Sequence, residues 1–289
     1  MKSKKSICVF SHYFSENIIP LYVQLYVHEL QRHFDEILFV TNDREIENIY
    51  DIEGKNIQIQ KVKNEAYDLG MFYKGFLTLK LENYKTIACI NDSNILFGKL
   101  DFLFDWANSR RLDFWGLMDS HIKPPFSTHK ENYHIQTHFI VFNERAIRYL
   151  QNFFSEFDIN EYAQSNIKEV RKKVINDWEI GISQLLLSKG LSCSAFVDSK
   201  KYHKLYHTPN AVNVSLDLYS EVIQNGVPVI KKKVVFSVKP RDLFSYKRNW
   251  KRLIKTYGDK EWQLTSLISE LSWLKRKTLT QKLRRRFHS

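Results

Sequence analysis

Thr86-Ile87-Ala88-Cys89-Ile90-Asn91-Asp92-Ser93 is the stretch on which the fold turns. From Ile87 to Ile90 there is no polar alternate, so a strand here has both faces buried, as in a parallel sheet covered by helices. Asn91-Asp92-Ser93 then ends the strand with residue types that favour turns. Toward the N-terminus, apolar strands are predicted at Ile7–Phe10 and Glu36–Thr41, and a period-two strand at Ile57–Val62. Helical spacing fills the intervals near 20–34 and 69–81. Beyond the central strand come a helix at about 100–109 and a strand at 113–117. Strands alternating with helices build βαβ units. The expected class is therefore α/β, a mixed, mostly parallel Rossmann-like sheet flanked by helices.

In such a sheet, ligands sit beyond the carboxyl ends of the strands. Those ends carry His12 and Tyr13, then Asn42 and Asp43, then Asn64 and Asp68, then Asn91 and Asp92. Turn propensity accounts for any one of these positions. It is a weaker account of four successive ends. Asp92 is the carboxylate best placed to meet a divalent cation, Mg²⁺ or Mn²⁺, that bridges a diphosphate. The plain alternative makes it a turn or capping residue.

After residue 130 the pattern changes. Tyr133–Phe142 reads as one long strand, on which His134, Gln136 and His138 share a face. Two histidines four apart on a strand are separated by about 13 Å, too far to ligate one metal. A polar stripe lining a sugar pocket, with Trp115 and Tyr133 as flat partners, competes with a simple exposed sheet face. Helices are predicted near 144–156, 161–173 and 174–190, the last closed by Gly190. Glu179 and Ser183 fall four apart on it, and an acid there could take a proton from a hydroxyl. Short strands follow at 192–196 and 227–230.

The net charge of +12 is concentrated at one end. Residues 231–289 hold 18 Lys/Arg against 4 Asp/Glu, leaving residues 1–230 with a balance of −2. A basic stretch confined to one end argues for a polyanionic surface rather than nucleic acid read by the folded body. Leu264, Leu267, Ile268, Leu271 and Leu274, then Leu279, Leu283 and Phe287, recur at helical spacing, with Trp262 and Trp273 among them. Lys275 to Lys277, Lys282 and Arg284 to Arg286 supply positive charge. An amphipathic basic helix on anionic lipid fits this pattern; a helix packed on the body and a nucleic-acid contact are the alternatives. No run is apolar enough to span a bilayer. The basic start is followed by Ser11, His12 and Glu16, too polar for a secretory leader. Cys8, Cys89 and Cys193 share no metal-like spacing and read as reduced thiols, which places the chain in the cytoplasm.

Eight ordered blocks resemble the rhamnan synthesis protein F family of polysaccharide-building glycosyltransferases, over roughly residues 6–235. They are VFSHYF (9–14), FVTND (39–43), KNEAYDLGMFYKGF (63–76), Tyr84 through INDSNILFG (84–98), DFWGLMDS (113–120), YHIQTHFIVF (133–142), VINDWEIGISQLLLSKG (174–190) and NGVPVIKKKVVF (225–236). The first half is also similar to the nucleotide-binding half of the glycosyltransferase A fold. The resemblance implies a catalytic domain over 1–235, with a nucleotide-binding half (1–120) and an acceptor half (121–235). A basic helical segment over 236–289 would follow.

By the same resemblance, His12, Asp43, Asn64, Asp68 and Asn91 would line the pocket of a nucleotide-sugar donor, and Asp92 would lie at its diphosphate. Glu179 would be the base that activates the acceptor, with Asp177 as its rival. Trp115, His134, Gln136 and His138 would face the donor sugar or the acceptor. The acceptor would be a lipid-linked or growing surface glycan of O-antigen, capsule or rhamnan type, and the basic segment would hold the enzyme peripherally on the inner face of the plasma membrane. No nucleic-acid partner is implied. A non-catalytic binding or scaffold protein of the same machinery is the alternative. Two departures stand out. Asn-Asp-Ser replaces a two-carboxylate metal motif, and Glu65 or Ala66 stands where a glycine is common.

Overall fold

The computed structural model describes residues 4–52, 54–163, 166–237 and 249–287, with side chains as far as residue 280. Leu283, Phe287, Lys282 and Arg284 to Arg286 of the expected basic helix therefore have side chains outside the described set.

The main sheet has eight strands. Four run parallel in the order β3 (Ile57–Val62), β2 (Glu36–Asn42), β1 (Lys5–His12) and β4 (Tyr84–Asn91). Beside β4 lies antiparallel β8 (Phe139–Asn143), then β6 (Phe114–Ser120), which pairs with both β7 (His134–Ile135) and β9 (Cys193–Val197). A separate antiparallel pair joins β5 (Asn94–Leu96) to β10 (Val229–Lys231). The mixed α/β sheet flanked by helices that the sequence predicts is what the chain adopts.

Alternation along β1 explains the two cores. Cys8 and Phe10 face one side, with Tyr22 and Tyr26 from the helix Leu21–Leu30. Ile7 and Val9 face the other, with Leu69, Met71 and Phe72 from the helix Tyr67–Phe76. β4 divides the same way, Ala88 and Ile90 against Ile87 and Cys89. This is the two-sided burial that its apolar run implied. The chain builds outward from β1 to β2 and β3, then returns so that β4 lies on the opposite side of β1. The carboxyl ends of β1 and β4, with Ser11 beside Asn91, are thus the point where the winding reverses.

Three expectations require correction. Tyr133–Phe142 is not one strand. β7 and β8 both pair with β6, but the turn at residues 136–138 leaves two extra residues looped out between them. Gly116 leaves room for this turn: a side chain there would lie 2.2 Å from Ile135 Cγ2 and 2.5 Å from the Phe139 carbonyl oxygen. Second, helical residues 167–188 form one continuous rod whose middle, Ile175–Ile180, is π-helical. Gly181 N–H bonds the Asn176 carbonyl five residues back, and His129 Nε2 also donates to that carbonyl at 2.9 Å. Wide turns of this kind recur at functional sites.

Third, the helices after residue 249 pack on the body and not, as the apolar stripe suggested, on lipid. Trp250, Leu253 and Ile254 of the helix Trp250–Tyr257 are buried in the first core. So are Leu267, Leu271 and Leu274 of the helix Leu264–Phe287. The apolar stripe read as lipid-facing is, as far as Leu274, a protein-facing stripe. Trp273 and Leu279 are exposed. No helix among the described residues is long and apolar enough to cross a membrane.

Candidate functional site

A cavity of about 420 Å³ opens where the winding reverses. Its floor is Ser11 and Tyr13 from the end of β1 and Asn91-Asp92-Ser93 from the end of β4. One wall is Asn64 from the loop after β3, with Tyr67 and Asp68 from the first turn of the helix Tyr67–Phe76. The helical rod contributes Arg171, Trp178 and Glu179, the turn before β8 contributes Thr137 and His138, and β10 contributes Lys231.

Asn91 has a double use. Its Oδ1 accepts the Ser93 N–H at 3.1 Å, the turn function its residue type suggested, while its Nδ2 donates to Asp68 Oδ2 at 2.7 Å. Burial raises the Asp68 pKa to about 6, against the lowering effect of the Asn91 donation and with the Glu179 charge adding to the rise. The loop that delivers Asp68 is strained. Ala66 and Tyr67 have φ of 53° and 56°, the left-handed region, at the place where a glycine was expected. Gly70 makes room for it, since a side chain there would meet the Glu65 carbonyl oxygen at 1.9 Å.

Asp92 is buried, and its Oδ2 lies 2.7 Å from Lys232 Nζ and 3.4 Å from the Tyr22 hydroxyl. Burial works against charge on Lys232, but Asp92 and Tyr22 hold its pKa above the ordinary lysine value. Lys231, its neighbour in sequence, lines the cavity instead. Burial lowers the Lys231 pKa to about 7, although the charges of Glu179 and Asp68 oppose that fall.

Glu179 sits on the π-helical turn with its side chain about one-third exposed, and its Oε1 is 4.0 Å from His134 Nε2. The Asn132 carbonyl accepts from His134 Nδ1 at 2.7 Å, so that nitrogen carries a proton and Nε2 is the one turned toward Glu179. His138 is the opposite tautomer: Asn94 Nδ2 donates to its Nδ1 at 2.7 Å, which leaves Nε2 as the protonated nitrogen. Its pKa is pushed well down, first by burial and then by Lys231, so the ring is neutral.

Several candidates lie elsewhere. Asp43 is exposed at the end of β2 and does not line the cavity. His12 points to the opposite face of β1, bonded through Nδ1 to Thr41 Oγ1 at 3.0 Å and stacked on Phe39; burial lowers its pKa to about 4. Trp115 is buried among Phe104, Trp106 and Phe139, a core residue rather than a sugar platform. The looped-out turn dismantles the expected polar stripe. Gln136 is turned onto the Asp119 carbonyl and Ser215, while His138 alone of the three lines the cavity. Asp177 faces a separate hollow of about 470 Å³, where it accepts from Tyr162 at 2.7 Å and pairs with Lys173 at 3.2 Å. Ser183 is buried and accepts the Ile135 N–H.

Sequence reasoning missed Lys231 and Lys232, which it counted as bulk charge of the basic end. The usable signal was their position at the end of the apolar run Val227–Ile230, where alternation sends adjacent side chains opposite ways.

A divalent cation, Mg²⁺ or Mn²⁺, would meet residues of the Asn91-Asp92 turn that are already engaged. Lys232 and Tyr22 occupy Asp92 Oδ2, and both ends of the Asn91 amide are engaged. Among the described residues no group of three His, Cys, Asp or Glu is placed to hold a metal ion.

Comparison with curated proteins finds no match. Among solved structures, similar folds include a putative glucose-1-phosphate thymidylyltransferase from Bacillus anthracis, with 8% identity over 66% of this chain and 87% of that one, TM-score 0.44. A 4-diphosphocytidyl-2C-methyl-D-erythritol synthase from Anaerococcus prevotii shares 15% identity over 68% and 89%, TM-score 0.43. The glycosyltransferase GlyE from Streptococcus pneumoniae shares 10% identity over 96% and 64%, TM-score 0.39. Likenesses this distant carry no weight in assigning an activity. By sequence, the profile of rhamnan synthesis protein F matches residues 63–261, more than half of the chain. This chain belongs to the rhamnan synthesis protein F family.

Proposed function

We propose that the chain is a glycosyltransferase that moves a sugar from a nucleotide-sugar donor to a growing surface polysaccharide. The observation that carries this reading is convergence. Asp68, Asn91, His138, Glu179 and Lys231 come from five separate stretches and line one cavity at the reversal point of an α/β sheet. Membership of a rhamnan synthesis family supports the polysaccharide end of the reaction.

In this reading Glu179 takes the proton from an acceptor hydroxyl as its oxygen attacks the anomeric carbon. The new carbon–oxygen bond forms while the bond from that carbon to the outer phosphate oxygen breaks. The electron pair leaves with the nucleoside diphosphate. Neutral His138 offers an N–H to a sugar hydroxyl or phosphate oxygen. Asp68 and Asn91, locked to each other, orient the donor. The acceptor is a glycan on a lipid carrier, and the basic residues near the end of the sequence hold the enzyme on the inner face of the plasma membrane.

The test is donor cleavage. Incubation with UDP-, GDP- and dTDP-sugars, with and without acceptor glycan, should release nucleoside diphosphate with at least one donor. A folded protein that releases none from any donor would instead be a non-catalytic member of the machinery.

A further inference from the structure

We propose that the ammonium group of Lys231, rather than a metal ion, receives the departing diphosphate, and that Lys232 holds Asp92 out of metal coordination. The inference rests on the nucleotide-sugar reading of the cavity and names the group that would bind its most charged part.

The arrangement follows from one short strand. β10 pairs with β5, with Lys231 opposite Asn94, and the Lys232 N–H bonds the Ser93 carbonyl at 2.8 Å. The end of β10 is thereby fixed beside the Asn91-Asp92-Ser93 turn. Successive side chains then diverge. Lys231 enters the cavity, whereas Lys232 reaches Asp92 from the side of Tyr22, with Nζ 5.4 Å from the centre of the Tyr22 ring.

The pairing engages one of the two carboxylate oxygens of Asp92. A metal ion competing for Oδ2 must displace an ammonium from a site where the paired side chains are only 23% and 11% exposed, and leave it buried without its partner. The turn holds no second carboxylate to compensate. The rest of the cavity points the same way. Asp68 and Glu179 are acidic, and a diphosphate brought beside them meets repulsion unless a cation faces it. Lys231 is the enclosed cation there, and Arg171 stands exposed at the rim. A fixed ammonium aimed at developing charge in an enclosed site stabilises the transition state without reorganising. As the bond from the anomeric carbon to phosphate oxygen breaks, that oxygen gains the electron pair. Lys231 answers with a hydrogen bond and keeps its proton.

The test is binding of UDP, GDP and dTDP by calorimetry to the full-length chain, first in EDTA and then with Mn²⁺, with uridine, guanosine and thymidine as phosphate-free controls. We expect one diphosphate to bind in EDTA with less than a threefold gain from Mn²⁺. Lys231→Met should weaken that binding at least tenfold and leave nucleoside binding unchanged, and Lys231→Arg should recover part of it. Binding abolished by EDTA and restored by Mn²⁺ would overturn the inference without any variant having to fold. So would Lys231→Met binding like wild type, or no diphosphate binding in either buffer. Lys231-dependent binding with no sugar released from any donor would uphold the inference and end the transferase reading instead.

Discussion

Glu270 caps the helix that begins at Leu21: its Oε1 accepts the Leu21 backbone N–H at 2.7 Å, across 249 positions of the chain. That helix starts after Pro20, which supplies no side-chain cap, so a residue near the far end of the sequence satisfies one of its free N–H groups. The terminal helix is in this way a part of the fold rather than an appendage to it.

Glu270→Ala should therefore destabilise the protein by about 1–2 kcal/mol, the size of a lost helix cap. Deletion of residues 260–289 should be far worse, because it strips Leu267, Leu271 and Leu274 from the core. Thermal unfolding monitored by circular dichroism checks both. A truncated chain with an unchanged melting temperature would show that the helix does not support the body.

Asp68 gives the pH dependence a sign. Its folded pKa of about 6 lies above the ordinary value of 3.8, so the folded state holds the proton more tightly than the unfolded state. Stability then falls as pH rises from about 4 to about 6, and the full penalty applies above that. Asp68→Asn removes the penalty while still accepting from Asn91. The variant should be more stable than wild type at pH 7 by about 1–2 kcal/mol, since solvent at the cavity mouth screens part of the shift. The gap should close near pH 4. Denaturant titrations across this range would read it, and a gap that widens on acidification would reverse the assignment.

Glu179 and Asp177 stand two residues apart and face different hollows. Glu179→Gln should lower nucleotide release from the donor by 100-fold or more, as expected for loss of a general base, with little change in melting temperature. Asp177→Asn should do the reverse, weakening the contacts to Tyr162 and Lys173 while release continues. Equal kinetic losses in the two variants would mean that the π-helical turn, not the Glu179 carboxylate, matters.

Removal of residues 281–289 takes away Lys282 and Arg284 to Arg286 but none of the described core. Co-sedimentation with phosphatidylserine vesicles should drop sharply, and the melting temperature should stay within a few degrees. Undiminished vesicle binding would move the lipid contact elsewhere.

The sheet was legible because β1, β2 and β4 are apolar runs whose burial does not depend on distant partners. That Asp68, Asn91, Asp92 and Glu179 would gather around one cavity was legible because ligand pockets form at strand ends and because an acid on a helix draws notice. His12 and Trp115 were misread because facing direction depends on which face of the sheet a helix covers, which no local pattern states. The polar stripe failed because two extra residues loop out at 136–138, beside Gly116, a turn that alternation along one strand does not announce. The leucine pattern of the last helix was read correctly as amphipathic, and as far as Leu274 it was assigned to the wrong neighbour. Periodicity tells that a face is apolar, not what covers it.

The reach of β10 bears on how the molecule comes into being. Lys231 and Lys232 emerge from the ribosome long after the Asn91 turn that they complete. Until they arrive, a nascent chain carries Asp92 without its counter-ion and a cavity short of one wall. The cavity is thereby left incomplete in every unfinished copy, and it closes only once about the last fifth of the polypeptide has begun to dock.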